Sequence, residues 1–213
     1  MGSILPNLPY MLEGLVLTFG LAALSIVGSS LLGTALATAR LSPALWLRVP
    51  ATTCIEVVRS IPAVLFVLFT YFVLADAGVN VAPFWAAAIA LSVFASSYIA
   101  EVIRAGILAV DRGQTEAARA SGLSHLSTMR LVVLPQAVRS MAPALVSEFI
   151  KLTKDSSLAA VIGVLEFFNR VNLVNSRLIT QSFVLFGFAG VVYFVVNYGL
   201  SRLARRLELR ADV

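Results

Sequence analysis

The stretch Gly113–Pro135, GQTEAARASGLSHLSTMRLVVLP, decides how the rest of the chain is read. It is too polar to cross a bilayer, yet it is patterned as helix. Glu116, Ala117 and Ala118 open a short run of high helix propensity. Gly122, six residues after Glu116, stands where a left-handed C-terminal cap is needed. Leu123 begins a second short amphipathic run that reaches Val133 and ends at Leu134-Pro135. Two alanines facing outward would leave a helix surface low enough to seat in a groove. Glu116 would offer its carboxylate to a basic residue on the groove wall, and Gly122 would turn the chain sharply back. The pattern predicts a docking surface for a soluble partner. Taken alone, Glu116 has a plainer reading as a solvated charge paired with Arg112 or Arg119 at helical spacing, worth ~0.2–0.5 kcal/mol.

On both sides of this stretch the chain is apolar. Hydrophobic residues make up 59% and charged residues 13%, where soluble domains have about 45–50% and about 25%. A mean hydropathy of +0.92 describes bilayer-facing and bundle-core helix. That excludes an ordinary cytoplasmic enzyme and a disordered tail, and a single cysteine, Cys54, excludes a disulfide scaffold. Sixteen Lys+Arg against eleven Asp+Glu mark cytoplasmic loops in such a chain rather than nucleic-acid binding. Met1 to Met11 holds no Lys or Arg, so the first hydrophobic stretch reads as a permanent span and not a cleavable signal.

Uncharged windows locate the spans. Gly14 to Ala39 has 26 uncharged residues, and the windows between Asp76 and Glu101 and between Arg177 and Arg202 have 24 each. Each exceeds the ~20 residues that cross ~30 Å of hydrocarbon. A further span, 52–75, is clean only after Arg59, whose charge Glu56 can neutralise from the same helical face. The segment 135–155 opens at Pro135 but carries Arg139, Glu148, Lys151 and Lys154, so it is a bundle-interior span or no span at all. The positive-inside rule decides between these. With the N-terminus outside and five spans, the inner side receives Arg40, Arg48, Arg104, Arg112, Arg119, Arg130, Arg139, Arg202, Arg205, Arg206 and Arg210. The outer side receives Lys151, Lys154, Arg170 and Arg177. Without the polar span, the arginine-rich tail SRLARRLELR would lie outside. The expected architecture is an all-α integral membrane protein of five transmembrane helices, N-terminus outside and C-terminus inside. Its spans are 15–39, 52–75, 82–105, 135–155 and 180–201, within a transmembrane domain 14–205. A short outer N-terminus (1–13), a cytoplasmic segment (111–133) and a cytoplasmic tail (206–213) complete it.

A resemblance to a known family rests on four blocks in order. Glu116-Ala117-Ala118, Gly122, Val132 and Leu134-Pro135 form the signature of the membrane subunits of bacterial ABC importers. EVVRSIP at Glu56–Pro62, AEVIRAGIL at Ala100–Leu108, RGQTEAARASG at Arg112–Gly122 and EFIKLTKDSSLAAVIG at Glu148–Gly163 resemble the polar amino-acid uptake permeases among them. Ser60-Ile61 stands where that family often has Gly-Thr, Val132 where Ile is usual, and Ser147 where Asn is frequent. The resemblance implies a type I importer permease core. Its segment with Glu116, Ala117, Ala118, Gly122 and Leu123 is then the coupling helix that docks on a cytoplasmic ABC ATPase dimer. It also implies an extracytoplasmic solute-binding protein, a second permease chain (itself or a paralogue) and a multi-pass place in the bacterial inner membrane. ATP and Mg would be bound by the partner ATPase, and no cofactor is expected in this chain, which has no G-x-x-x-x-G-K-[ST] loop.

The remaining polar residues keep two readings each. Glu56/Arg59 and Glu101/Arg104 are i,i+3 pairs near the expected inner face, read as structural ion pairs or as gating elements. Glu148, Lys151 and Asp155 form one helical stripe with Lys154 one position round, and they line a substrate pathway or pack subunits together. His125 has no partner at ligand spacing, which argues against a metal site. Cys54 reads as a small packing residue, Ser156-Ser157 as a helix break, and Phe167-Phe168 as an outer-interface or subunit contact. A membrane enzyme acting on a lipid-like substrate would need clustered carboxylates or histidines, which the chain lacks. An importer of the same class with a non-amino-acid substrate is the other alternative.

Overall fold

The computed structural model describes residues 5–211, and every regular element within them is helical. Residues 1–4 of the expected outer N-terminus and 212–213 of the expected tail lie outside the described residues. Helix α1, Leu8–Leu41, has 34 residues, about 51 Å at ~1.5 Å per residue and longer than the bilayer core is thick. It buries a stripe of mostly small residues: Gly14, Thr18, Ser25, Ser29, Gly33 and Ala37. Against that stripe lies α4, Pro83–Leu108, the hub of the fold, which also packs on α2, α3 and α7. The two backbones approach so closely that a Cβ on Gly28 would sit 2.4 Å from Ser92 Oγ, and one on Gly33 would sit 2.8 Å from Ile99 Cγ2. Small residues bring helices together where lipid supplies no hydrophobic driving force between them.

The span expected at 52–75 is not one helix. It is α2, Leu45–Ser60, followed by α3, Ala63–Asp76, with a bend of 110° between them. The cause is local. Ile61 precedes Pro62, and proline forbids the helical region to the residue before it; Ile61 accordingly lies extended, at φ −95° and ψ 136°. Pro62 then starts α3, where its missing N–H costs nothing.

The polar stretch folds as α5, Arg112–Ala120, and α6, His125–Thr128. The helix expected to start afresh at Pro135 in fact continues from α6. A π turn at Met129–Val133 joins α6 to α7, Leu134–Asp155, and the Leu134 N–H reaches the Met129 carbonyl five residues back. Pro135 cannot donate to the i−4 carbonyl and its ring crowds that position, and the wider turn accommodates it without ending the helix.

After Asp155 the chain tightens into a 3₁₀ run, Ser156–Ile162, and turns at Gly163 with φ +86°. Ser156 and Ser157 donate to the Thr153 and Lys154 carbonyls, at 2.9 and 2.7 Å, so they do stand at a helix break. Helix α8, Phe167–Arg177, packs on the N-terminal half of α1, and α9, Ser182–Ala211, follows it. The join of α8 with α1 and α9 is built on Glu166. Its fully buried carboxylate accepts the Phe168 and Asn169 N–H groups at 2.9 and 2.7 Å, capping α8, and also accepts from Thr18 Oγ1 and Tyr193 Oη. Phe167 is therefore no interface residue: it is fully buried beside the Phe188 and Tyr193 rings. Among the described residues, three helices are individually long and apolar enough to cross a membrane, or up to five spans if each bent pair counts as one.

Candidate functional site

The α5 helix has nine residues, too few to be stable in isolation. Its ends hold it. Asp111 caps the start by accepting the Gly113 N–H at 2.7 Å. At the other end the Leu123 N–H returns to the Ala118 carbonyl and the Ser121 N–H to that of Ala117, while Gly122 takes φ +88°. Arg119 Nη1 adds a bond to the Leu123 carbonyl at 3.3 Å. Ser124 then starts α6 by accepting from the Ser127 N–H. The left-handed turn read from Gly122 is thus present.

The two alanines do not both face outward. Ala117 is exposed, but Ala118 is buried, at 8% exposure, in a helix that packs on the π turn and α6. Adjacent helical residues point about 100° apart, and a helix lying on the rest of the chain must turn one of them inward. Glu116 is exposed and forms no ion pair within 4.0 Å among the described residues, with Arg112 and Arg119 included. The segment therefore offers outward a small, low surface of Glu116, Ala117 and Gly122, with Leu123 half-buried behind it. His125 and Leu126 extend that exposed surface.

A second polar site lies where α2, α4 and α7 meet. Lys151 Nζ stands 4.0 Å from the centroid of the Tyr98 ring, and the Arg59 guanidinium 5.2 Å from it. Glu148 pairs with Lys151 at 3.7 Å, one turn apart on α7. Asp155 is half-buried one turn further on, and Lys154 is exposed. The tyrosine ring attracts both cations electrostatically, so carboxylate, cations and aromatic converge beside the bend at Pro62.

The third group is an ion network at the C-terminal ends of α1, α2 and α4. Glu101 accepts from Arg40 and, at 3.1 Å, from Arg104. Glu56 lies 3.8 Å from Arg40 and not from Arg59. The expected Glu56/Arg59 pair is thus replaced: Arg59 occupies the last turn of α2 and reaches across to Tyr98 on α4, which leaves Glu56 to the end of α1. The Glu101/Arg104 pair is present. Cys54, expected to be packed, is exposed on α2.

Comparison with known proteins decides the class. The model of the family described as "Binding-protein-dependent transport system inner membrane component" matches residues 29–213. The chain belongs to this family. It is similar to the "Probable glutamine ABC transporter permease protein GlnP" of Bacillus subtilis (strain 168), with 39% identity over 96% of this chain and 94% of the relative. It is also similar to the "Glutamate/aspartate import permease protein GltK" of Escherichia coli O157:H7, with 38% identity over 98% and 96%. A solved structure described as "Crystal structure of an amino acid ABC transporter with histidines" superposes with a TM-score of 0.91 at 35% identity, covering 98% of this chain and 97% of that one. Members of this family are inner-membrane components of transport systems, which accounts for a chain that is mostly apolar helix.

Within a transport component, the residues that sequence reasoning missed are those that complete each cluster from another helix. Tyr98 is the meeting point of Arg59 and Lys151. Its only signal was the one phenol hydroxyl in the run SVFASSYIAE of α4. Arg40 was counted as an inner-side charge, and its role in the Glu56/Glu101 network needs the α1–α4 packing to be known.

Proposed function

We propose that this chain is the translocation subunit of an ATP-driven importer for a polar amino acid or a close derivative. In this reading it crosses the bacterial inner membrane five times, N-terminus outside and C-terminus inside. The bent pairs α2/α3 and α7/α8 each count as one span, and the arginine-rich segments fall inside. Segment 111–133, with Glu116, Ala117, Ala118, Gly122 and Leu123, docks on a cytoplasmic ATPase dimer that binds ATP and Mg. A second permease chain completes the pathway, and an extracytoplasmic solute-binding protein delivers the substrate.

One observation carries the reading. Beyond the Gly122 turn, the C-terminal part of the docking segment runs into the polar cluster as unbroken helix, from His125 through the π turn to Asp155. From His125 to Glu148 this rod measures about 35 Å. A displacement passed through the Gly122 turn to α6 therefore reaches Glu148 and Lys151 along one helix.

The relatives named for glutamine, glutamate/aspartate and arginine support the substrate class. So does the chemistry of the cluster. An amino acid carries a carboxylate and an ammonium; Lys151 and Arg59 suit the first, and Glu148 and Asp155 the second. Glu148 and Lys151 pair within one helix, so their bond ties no two elements together, which favours a pathway role over packing. The test is uptake, ATPase rate and detergent stability for Glu148→Ala, Lys151→Ala and the double variant in the reconstituted complex. Uptake should fall at least tenfold in each single, with assembly and basal ATPase activity retained. Assembly lost in the singles and restored in the double would overturn the pathway role in favour of packing.

A further inference from the structure

On the side of α7 away from the polar cluster, a groove of ≈ 600 Å³ runs between α1, α7 and α9. Its wall is almost wholly carbon: Phe19 and Ile26 of α1, Val146 and Phe149 of α7, and Leu200 and Leu203 of α9. Thr153, its one hydroxyl, is already engaged with the Phe149 carbonyl at 3.2 Å. No carboxylate lines it. At 100° per residue, the groove-lining positions of α7 (142, 146, 149, 150 and 153) point roughly 170° away from Glu148, Lys151 and Asp155. The groove and the polar stripe therefore cannot share an occupant. If charged residues face the bundle interior or the partner chain, as burial cost requires, the groove faces lipid.

Its inner mouth is basic. Arg139 lies one turn before the groove residue Ala142 on the same face of α7, and Arg205 directly follows the groove residue Ala204 on α9. Arg139 is exposed and forms no ion pair within 4.0 Å among the described residues, and Arg205 reaches only Ser201 Oγ there, at 3.5 Å. The wall from Ala142 to Thr153 is about 16 Å long, close to the ~15 Å depth of one leaflet's hydrocarbon. An apolar slot of leaflet length under two arginines without an ion-pair partner among the described residues has the chemistry of an anionic phospholipid: one acyl chain along the slot, the phosphate at its mouth.

We propose that this groove is a binding site for an anionic phospholipid, which fills the gap between α9 and α7. Helix α9 needs such support, because it presents Phe183, Val191, Phe194 and Val195 outward and buries few residues against the rest of the chain. The surface is separate from the docking segment and the polar cluster, so the proposal stands or falls whatever the substrate.

The experiment is native mass spectrometry of the purified full complex, equilibrated in detergent with phosphatidylglycerol or phosphatidylcholine of the same acyl chains. Wild type should retain phosphatidylglycerol at least fivefold over phosphatidylcholine. Arg139→Gln should bring that ratio near one, and Arg139→Lys, which keeps the charge, should preserve it. Ala142→Trp, which fills the slot, should lower retention of both lipids. Equal retention of the two lipids by wild type would overturn the proposal, as would a preference that survives both Arg139→Gln and Ala142→Trp. Ala142→Trp that weakens chain–chain association and leaves lipid retention unchanged would assign the groove to a second copy of the chain instead.

Discussion

Gly122 separates two reasons for a glycine in a docking segment. Its φ is +88°, and a Cβ built there meets nothing within 4 Å. In the isolated chain a side chain at this position therefore costs only the left-handed backbone, about 1–2 kcal/mol for an ordinary residue. That shifts the equilibrium of the turn about 5–30-fold away from its docked shape. Since the cost resides in φ and not in crowding, Gly122→Ala and Gly122→Leu should be impaired alike. Gly122→Asn should be impaired least, because asparagine tolerates this region. The assay is substrate-stimulated ATPase activity and uptake by the reconstituted complex, with insertion checked by yield and thermal unfolding. Leu far worse than Ala would show that the partner surface comes close to this Cβ, and the strain argument would then be insufficient. Wild-type coupling in all three variants would refute both the strain and the docking role of the turn.

Further outcomes follow from the same geometry. Glu116→Lys, a charge reversal at an exposed position without an ion-pair partner among the described residues, should leave folding intact and reduce uptake at least tenfold; unchanged uptake would remove Glu116 from the docking surface. In a Cys54→Ser background, cysteines at Ser124 and Ser201 should label only from the cytoplasmic side and one at Asn80 only from outside; outer labelling at position 124 would end the five-span topology. Gly14→Ala would place a Cβ 2.6 Å from Phe167 Cα and 2.7 Å from its backbone nitrogen, an overpacking worth about 1–3 kcal/mol. The unfolding temperature of that variant should drop clearly, and that of Gly187→Ala, where a Cβ meets nothing within 4 Å, should hold or rise; equal behaviour of the two would contradict the α1–α8 contact.

What the sequence made legible was whatever depends on neighbours along the chain. Hydrophobic windows are a sum over consecutive residues, so α1, α4 and α9 were readable, and a glycine at a helix end announces its own φ. The bend at Pro62 was equally local, written in Ile61-Pro62, but the uncharged run after Arg59 concealed it, since charge counting is blind to backbone. The partners that complete each polar cluster were not legible. Arg40 is 61 residues from Glu101 in sequence, and Thr18 is 148 from Glu166; only the packing of α1 on α4 and α8 brings them together. The i,i+3 rule paired Glu148 with Lys151 and Glu101 with Arg104 correctly, and it failed for Glu56 and Arg59, where each side chain found a partner on another helix. Local spacing sets which pairs are possible, and tertiary contact chooses among them.

That choice has a consequence for how charge is carried in this chain. Arg40, Glu101 and Arg104 engage across the C-terminal ends of α1 and α4, with exposed Glu56 of α2 at the edge, so removing Glu101 strips both arginines of their mostly buried partner, where the loss is dear. The Glu148–Lys151 pair is different in kind. It lies within a single helix, with Lys151 at 41% side-chain exposure and resting on Tyr98, and its disruption leaves the helix packing in place. A bond that stabilises little can be exchanged for a bond to something else at little cost. In the proposed pathway role a substrate carboxylate or ammonium would compete on nearly equal terms with the pair, whereas at the Arg40–Glu101 bond it would have to break a contact between α1 and α4. The fold thus sets an ion pair that joins two helices at the C-terminal ends of α1 and α4, and an exchangeable one within α7 beside Tyr98.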